Sequence, residues 1–152
     1  MANVRFTVTQ PFDAPARTVW DALIDWKGHE TWIPATKVEI HTDGDPTTIG
    51  SEFTATTGYG PLALPDTMRV TRCAWDDGVG TGDCEVEKLG PVLTGRAGFT
   101  IEPTSETASE VVWIEDVEVR YLPRVLAPIA KVAGAAGFRL GMRKLGKQLA
   151  TR

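Results

Sequence analysis

The sequence is poor in the residues from which most catalytic and metal sites are made. Its 152 residues include only two histidines and two cysteines. His29 and His41 are far apart in sequence, and the only serines, Ser51, Ser105 and Ser109, sit in no Gly-x-Ser-x-Gly turn. No His or Cys cluster has the spacing of metal ligands, so neither a metal nor another cofactor is expected. Gly78-Val79-Gly80-Thr81-Gly82 is rich in glycine, but it precedes strand-like sequence and lacks the helix N-terminus that holds a phosphate. Long apolar runs are missing too. Lys131 interrupts the best one short of bilayer length, and MANVRFTVTQ has no apolar signal region. A cytoplasmic location is the expectation.

Acidic charge is missing from one end of the chain. All 20 Asp and Glu lie at or before Glu118, with 8 of the 16 Lys and Arg; the remaining 8 basic residues follow with no acid among them. Arg143, Lys144 and Lys147 complement the negative end of a C-terminal helix dipole. A basic helix face that touches anionic lipid or RNA is the other reading. The overall net charge of −4 argues against broad nucleic-acid binding, and none is expected.

What is present is the make-up of one globular domain, residues 1–152, with 42% hydrophobic and 24% charged residues. VRFTVTQPF at 4–12 alternates as a strand with one wet face. Asp13-Ala14-Pro15 breaks it, and Ala16, Val19, Trp20, Leu23 and Ile24 then form a helical stripe. HETWIP at 29–34 has room for one more turn. Six strand patterns follow, at 36–42, 51–58, 65–75, 82–90, 94–103 and 110–122, the last with Val111, Trp113, Val117, Val119 and Tyr121 on one face. YGPLALP at 59–65 is irregular, with Tyr59, Leu62 and Leu64 needing cover. Cys73 and Cys84 flank the turn at 76–83. Their spacing fits a cross-strand disulfide, and a reducing cytosol favours free thiols.

Pro123 to Arg152 is the only stretch long enough for a helix of several turns, starting near Pro128. Ile129, Ala133, Ala136 and Leu140 make one apolar stripe; Phe138, Met142, Leu145 and Leu149 make another. Gly134, Gly137 and Gly141 lie on a third, small-residue stripe. Each weakens a helix by about 1 kcal/mol relative to Ala, so each needs a reason: room for a ligand, or close packing on the sheet. A helix following so many strands must lie across their sheet.

Counting by twos along the strands brings three charges onto inward faces. Asp66 shares a face with Met68 and Val70, Lys88 with Cys84 and Val86, and Glu115 with Trp113 and Val117. An unpartnered charge facing a dry core is very costly. These groups therefore pair with one another, line a wet or ligand-filled cavity, or turn out at a bulge or strand end. Trp32, Phe53, Tyr59, Phe99 and Trp113 are placed on the helix side or at a loop mouth, as in small-molecule pockets and in ordinary cores alike.

PFDAPARTVWDALIDWKGHETWIP resembles the opening of the START-like, helix-grip superfamily (SRPBCC), in particular its polyketide cyclase/dehydrase and lipid-transport family. PDTMRV, GRAGFTIEP, VVWIEDVEV and the closing helix fit the same pattern over essentially the whole chain. The resemblance implies an α+β fold in which a curved seven-stranded antiparallel sheet wraps a long C-terminal helix, with two short helices after the first strand. It also implies a hydrophobic cavity between sheet and helix. The leading expectation is binding of a hydrophobic small molecule or lipid, for transport or sensing. The site residues expected are Trp32, Phe53, Tyr59, Leu62, Leu64, Asp66, Met68, Lys88, Phe99, Trp113, Glu115, Ala133 and Gly137, with Tyr59 and the 59–65 loop as the gate. One alternative is a cyclase or dehydratase with Glu115 as acid or base, although no residues match the catalytic set of the aromatase/cyclases. Another is an interaction module that uses the basic helix, with membrane contact through it. A monomer and a homodimer are both open.

Overall fold

Two-residue alternation fixes the faces of each strand, and short turns make successive strands antiparallel. The computed structural model describes residues 1–150. Among these residues β1 (Ala2–Phe12) leads to helix α1 (Ala16–Leu23) and a 3₁₀ turn (Lys27–Thr31). Then come β2 (Thr36–Ile40), β3 (Glu52–Thr57), β4 (Leu64–Asp76), β5 (Thr81–Leu89), β6 (Leu93–Pro103), β7 (Ser109–Val119) and helix α2 (Ala127–Ala150). The strands form one antiparallel sheet in the order β1-β7-β6-β5-β4-β3-β2. The expected sheet, helix order and long closing helix are all present.

Along β1, Ala2, Val4, Phe6 and Val8 are buried while the residues between them face water. Helix α1 lays Ala16, Val19, Trp20 and Leu23 against the sheet at helical spacing. Trp20 lies so close to β5 that a Cβ at Gly82 would stand 2.3 Å from its ring. Trp75 and Phe99 flank the same indole, with ring centroids at 5.8 and 5.5 Å.

The register of β4 against β5 slips between Val70 and Arg72, which leaves Thr71 as an extra residue. The bulge changes which residues point inward. Before it Met68 and Val70 are buried; after it Cys73 and Trp75 continue the inner side, and Arg72 turns out to pair with Asp83 at 3.0 Å. Cys73 and Cys84 stand directly opposite each other across these strands as free thiols.

Three expectations are corrected. Strand β7 ends at Val119, not at 122, because Tyr121 takes a positive φ of 69° and the chain turns there. Tyr121 is consequently exposed rather than on the inner face. Helix α2 is covered along its second apolar stripe but not along its first. Its buried residues, Gly141, Met142, Leu145 and Leu149, all lie in its C-terminal half. Ile129 and Leu140 of the first stripe are 65% and 61% exposed, as is the neighbouring Val132 at 69%. Finally, the helical stretch Arg124–Ala150 contains an 18-residue window with a mean hydropathy of 1.3, because the basic residues cluster toward its end. It is long and apolar enough by composition to cross a membrane, contrary to the expectation from Lys131.

Candidate functional site

The fully buried residues of α2 lie in its C-terminal half; its first half touches the sheet chiefly through Gly134 on Phe6 and Phe138 on Trp113, and space remains beside these contacts. That space has two lobes. The inner lobe encloses about 490 Å³ of atom-free space, part of it continuous with solvent. Its walls include Trp26, His29, Phe53, Met68, Phe99 and Trp113. The outer lobe is the larger and more open, at about 1070 Å³, and is bounded by Phe6, Leu64, Val117, Ala133 and Gly137. The two share Ile33, Phe138, Asp66, Lys88 and Glu115, which therefore form the neck between them.

The neck carries the three inward charges. Lys88 on β5 faces Met68 on β4, and Asp66 lies two residues before Met68 on the same face. Glu115 reaches them from β7 across β6, where Gly95 and Ala97 offer little bulk. Lys88 Nζ donates a short hydrogen bond to Asp66 Oδ2 and lies 3.5 Å from Glu115 Oε2 and 3.8 Å from Met68 Sδ. Trp113 Nε1 donates to Glu115 Oε1 at 3.0 Å. Only 5–6% of the Lys88 and Glu115 side chains and 15% of Asp66 remain accessible. Burial pushes the Glu115 carboxyl above its ordinary range, against the pull of Lys88 and Trp113. Burial pulls Lys88 down, but Glu115 and Asp66 together outweigh it and hold the ammonium above its ordinary value. Asp66 Oδ1 is buried and has no hydrogen-bond partner.

Aromatic rings frame this charge cluster. Trp113 stacks on Phe99 at 5.4 Å and meets Phe138 at 4.8 Å. Trp26 stacks on Phe53 at 4.8 Å, and its Nε1 donates to the Pro46 carbonyl at 2.8 Å. His29 is held with Nε2 2.7 Å from the Leu23 carbonyl. Burial lowers its pKa to about 4, so it is neutral at neutral pH.

Of the residues expected at the site, Phe53, Met68, Phe99 and Trp113 line the inner lobe, and Leu64, Ala133 and Gly137 line the outer one. Asp66, Lys88 and Glu115 line both. Trp32, Tyr59 and Leu62 are placed elsewhere. Trp32 is buried behind the wall, where α2 covers it at Gly141; its ring stands edge-on to Trp113. Tyr59 and Leu62 are 80% and 87% exposed, because the 3₁₀ turn Gly60–Leu62 directs them to solvent just before Leu64. Trp26, His29, Ile33 and Phe138 were missed. The signal for Trp26 and His29 was the turn bracketed by Trp26 and Trp32, with Ile33 just after it; Phe138 belongs to the second apolar stripe of the closing helix.

Among the described residues no group of three or more His, Cys, Asp or Glu could hold a metal ion. The chemistry on offer is that of two carboxylates and one ammonium in an aromatic cavity. Such a set can orient a polar group or exchange a proton with it.

A seven-stranded antiparallel sheet, a closing helix and a cavity between them define a START-like, helix-grip domain. Residues 3–152 match the family described as polyketide cyclase / dehydrase and lipid transport. The chain belongs to that family. Solved structures agree on the fold. A START superfamily protein from Mycobacterium smegmatis has a TM-score of 0.73 at 16% identity, with 97% of each chain covered. The human StarD13 lipid transfer and protein localization domain gives 0.70 at 12% identity, over 90% of this chain and 76% of that one. A Thermobifida fusca protein solved by NMR gives 0.67 at 21%, over 99% and 95%. No curated protein matches the sequence.

Proposed function

We propose that the protein binds a hydrophobic small molecule, a lipid or a polyketide-like compound, with its apolar body in the two lobes and its polar end at the neck. The carrying observation is the buried Asp66–Lys88–Glu115 cluster inside a cavity lined mainly by aromatic and aliphatic side chains. Burial of the ligand body supplies about 25 cal/mol per Å² before ordering costs. The family supports the reading, and the lipid transfer named for the StarD13 domain is in keeping with it.

A transport role draws support from the outer face of α2. Ile129, Val132 and Leu140 are exposed, and Arg143 and Lys147 continue the same helical face. Ala133 and Gly137 of the same turns border the outer lobe. In this reading α2 meets an anionic membrane surface in the cytoplasm and the lobe opens beside it. The test is native mass spectrometry of the purified protein with organic extraction of what accompanies it. Recovery of an apolar compound, lost on Trp113→Ala while the fold persists, is expected. A protein that carries nothing and takes up no hydrophobic fluorescent probe overturns the reading.

A cyclase- or dehydratase-type enzyme is favoured by one observation, the raised Glu115 carboxyl facing the cavity. In that case Glu115→Gln abolishes turnover and leaves binding intact.

A further inference from the structure

The neck has spare acceptor capacity and no spare donor. Lys88 Nζ has three protons, and they face Asp66 Oδ2, Glu115 Oε2 and Met68 Sδ. The indole N–H of Trp113 is taken by Glu115 Oε1, and the Nε2 of His29 faces the Leu23 carbonyl. Thr36 and Thr57 in the outer lobe bond to each other at 2.9 Å. Against this, Asp66 Oδ1 is buried without a partner; Trp32 Nε1, also buried and unpartnered, is a donor but lines neither lobe.

The charge count points the same way. The charged side chains lining the two lobes are Asp66, Lys88 and Glu115, two acids against one base. An uncompensated negative charge in a desolvated cavity is costly, and a second anion beside it is worse.

We infer that the neck receives the amine, as ammonium, of an apolar amine-bearing ligand, which donates to Asp66 Oδ1 with Glu115 Oε2 alongside, and that it disfavours ligands ending in carboxylate or phosphate. This rests on the proposed reading of the cavity and adds the class of head group to it. The ammonium completes the hydrogen bonding of Asp66 and brings the charges at the neck to balance. A carboxylate finds no free N–H at the neck, since Lys88 is taken by Asp66 and Glu115, and it meets two acidic groups.

The test uses three compounds with one bicyclic body: 1-naphthylmethylamine, 1-naphthalenemethanol and 1-naphthoate. Binding to the full chain is measured by titration calorimetry near neutral pH. The amine is expected to bind about tenfold or more tighter than the alcohol, the scale of a hydrogen bond to a charged group, and the carboxylate to bind weakest. Asp66→Asn keeps the shape and removes the charge, so it should lower amine affinity about tenfold or more and erase the amine's advantage over the alcohol. The series on the unaltered protein stands without that variant should it fail to fold. Alcohol binding as tight as amine binding, or tighter carboxylate binding, overturns the inference and leaves the binding reading in place. Binding of none of the three overturns both.

Discussion

His29 shows what burial does to one side chain. Its imidazole is held neutral down to about pH 4, against 6.5 for the free group, chiefly because burial disfavours the cation. The unfolded chain therefore binds more protons than the native one between those values. The contribution is fully present above pH 6.5 and is lost as pH falls to 4, a change of about 3 kcal/mol. Glu115 works in the opposite sense: its raised carboxyl favours the native state below its ordinary value of 4.5 and loses that contribution as pH rises. Comparing His29→Gln with the unaltered protein by urea denaturation isolates the histidine. The difference in stability between them should narrow on going from pH 6.5 to 4; an unchanged gap would refute the assignment. Lys88→Met leaves two carboxylates buried without their counter-ion and should cost about 3–5 kcal/mol in the same assay. The three charges were legible in the sequence because strand parity is strict and was counted from near neighbours. For Asp66 this mattered. Counting from Met68 keeps the right face, whereas counting from Cys73 or Trp75 crosses the bulge at Thr71 and reverses it. Tyr59 and Leu62 were not legible, since no periodic pattern governs a short 3₁₀ turn.

The elements differ in how far their sequence defined them. The strands and α1 each have one apolar face, so pattern and position agree. Helix α2 has small or apolar residues nearly all round, and no stripe announces which side is covered. Its glycines, for which room and packing were both open, separate in the structure. A Cβ at Gly134 would stand 2.7 Å from Phe6, and one at Gly141 3.1 Å from Trp32, so both are there for close approach. A Cβ at Gly137 meets nothing within 4 Å, since that position borders the outer lobe. Gly137→Ala should therefore stabilise the protein by up to about 1 kcal/mol through helix propensity. Gly134→Ala should destabilise it by about 1–2 kcal/mol, because the displaced Phe6 ring outweighs the same gain. Chemical denaturation of the two variants gives opposite signs if this account holds. Equal effects would mean that Phe6 moves aside freely.

For the whole molecule, the uneven charge and the outer face of α2 carry the next expectation. Ile129→Glu with Val132→Glu places acids where two exposed apolar residues stand, so the fold should persist. Sedimentation with vesicles containing phosphatidylserine should show binding by the unaltered protein and its loss in this variant. Binding should also weaken as salt rises. If the protein ignores vesicles but dimerises in analytical ultracentrifugation, and the variant does not, the face belongs to a second copy. The overall architecture was legible because strand order, turn lengths and the closing helix leave few topologies. Whether α2 closes fully on the sheet was not, since that depends on packing along its length. The half-seated helix bears on how the protein opens. Amides in the well-packed turns 141–149 should exchange with solvent only when the entire domain unfolds. Those in 129–140, held by the partly buried Gly134 and Phe138 rather than by fully buried residues, should exchange through local opening at lower free energy. A ligand that fills the outer lobe would join the two halves into one cooperative unit, and slowed exchange confined to 129–140 would report its arrival.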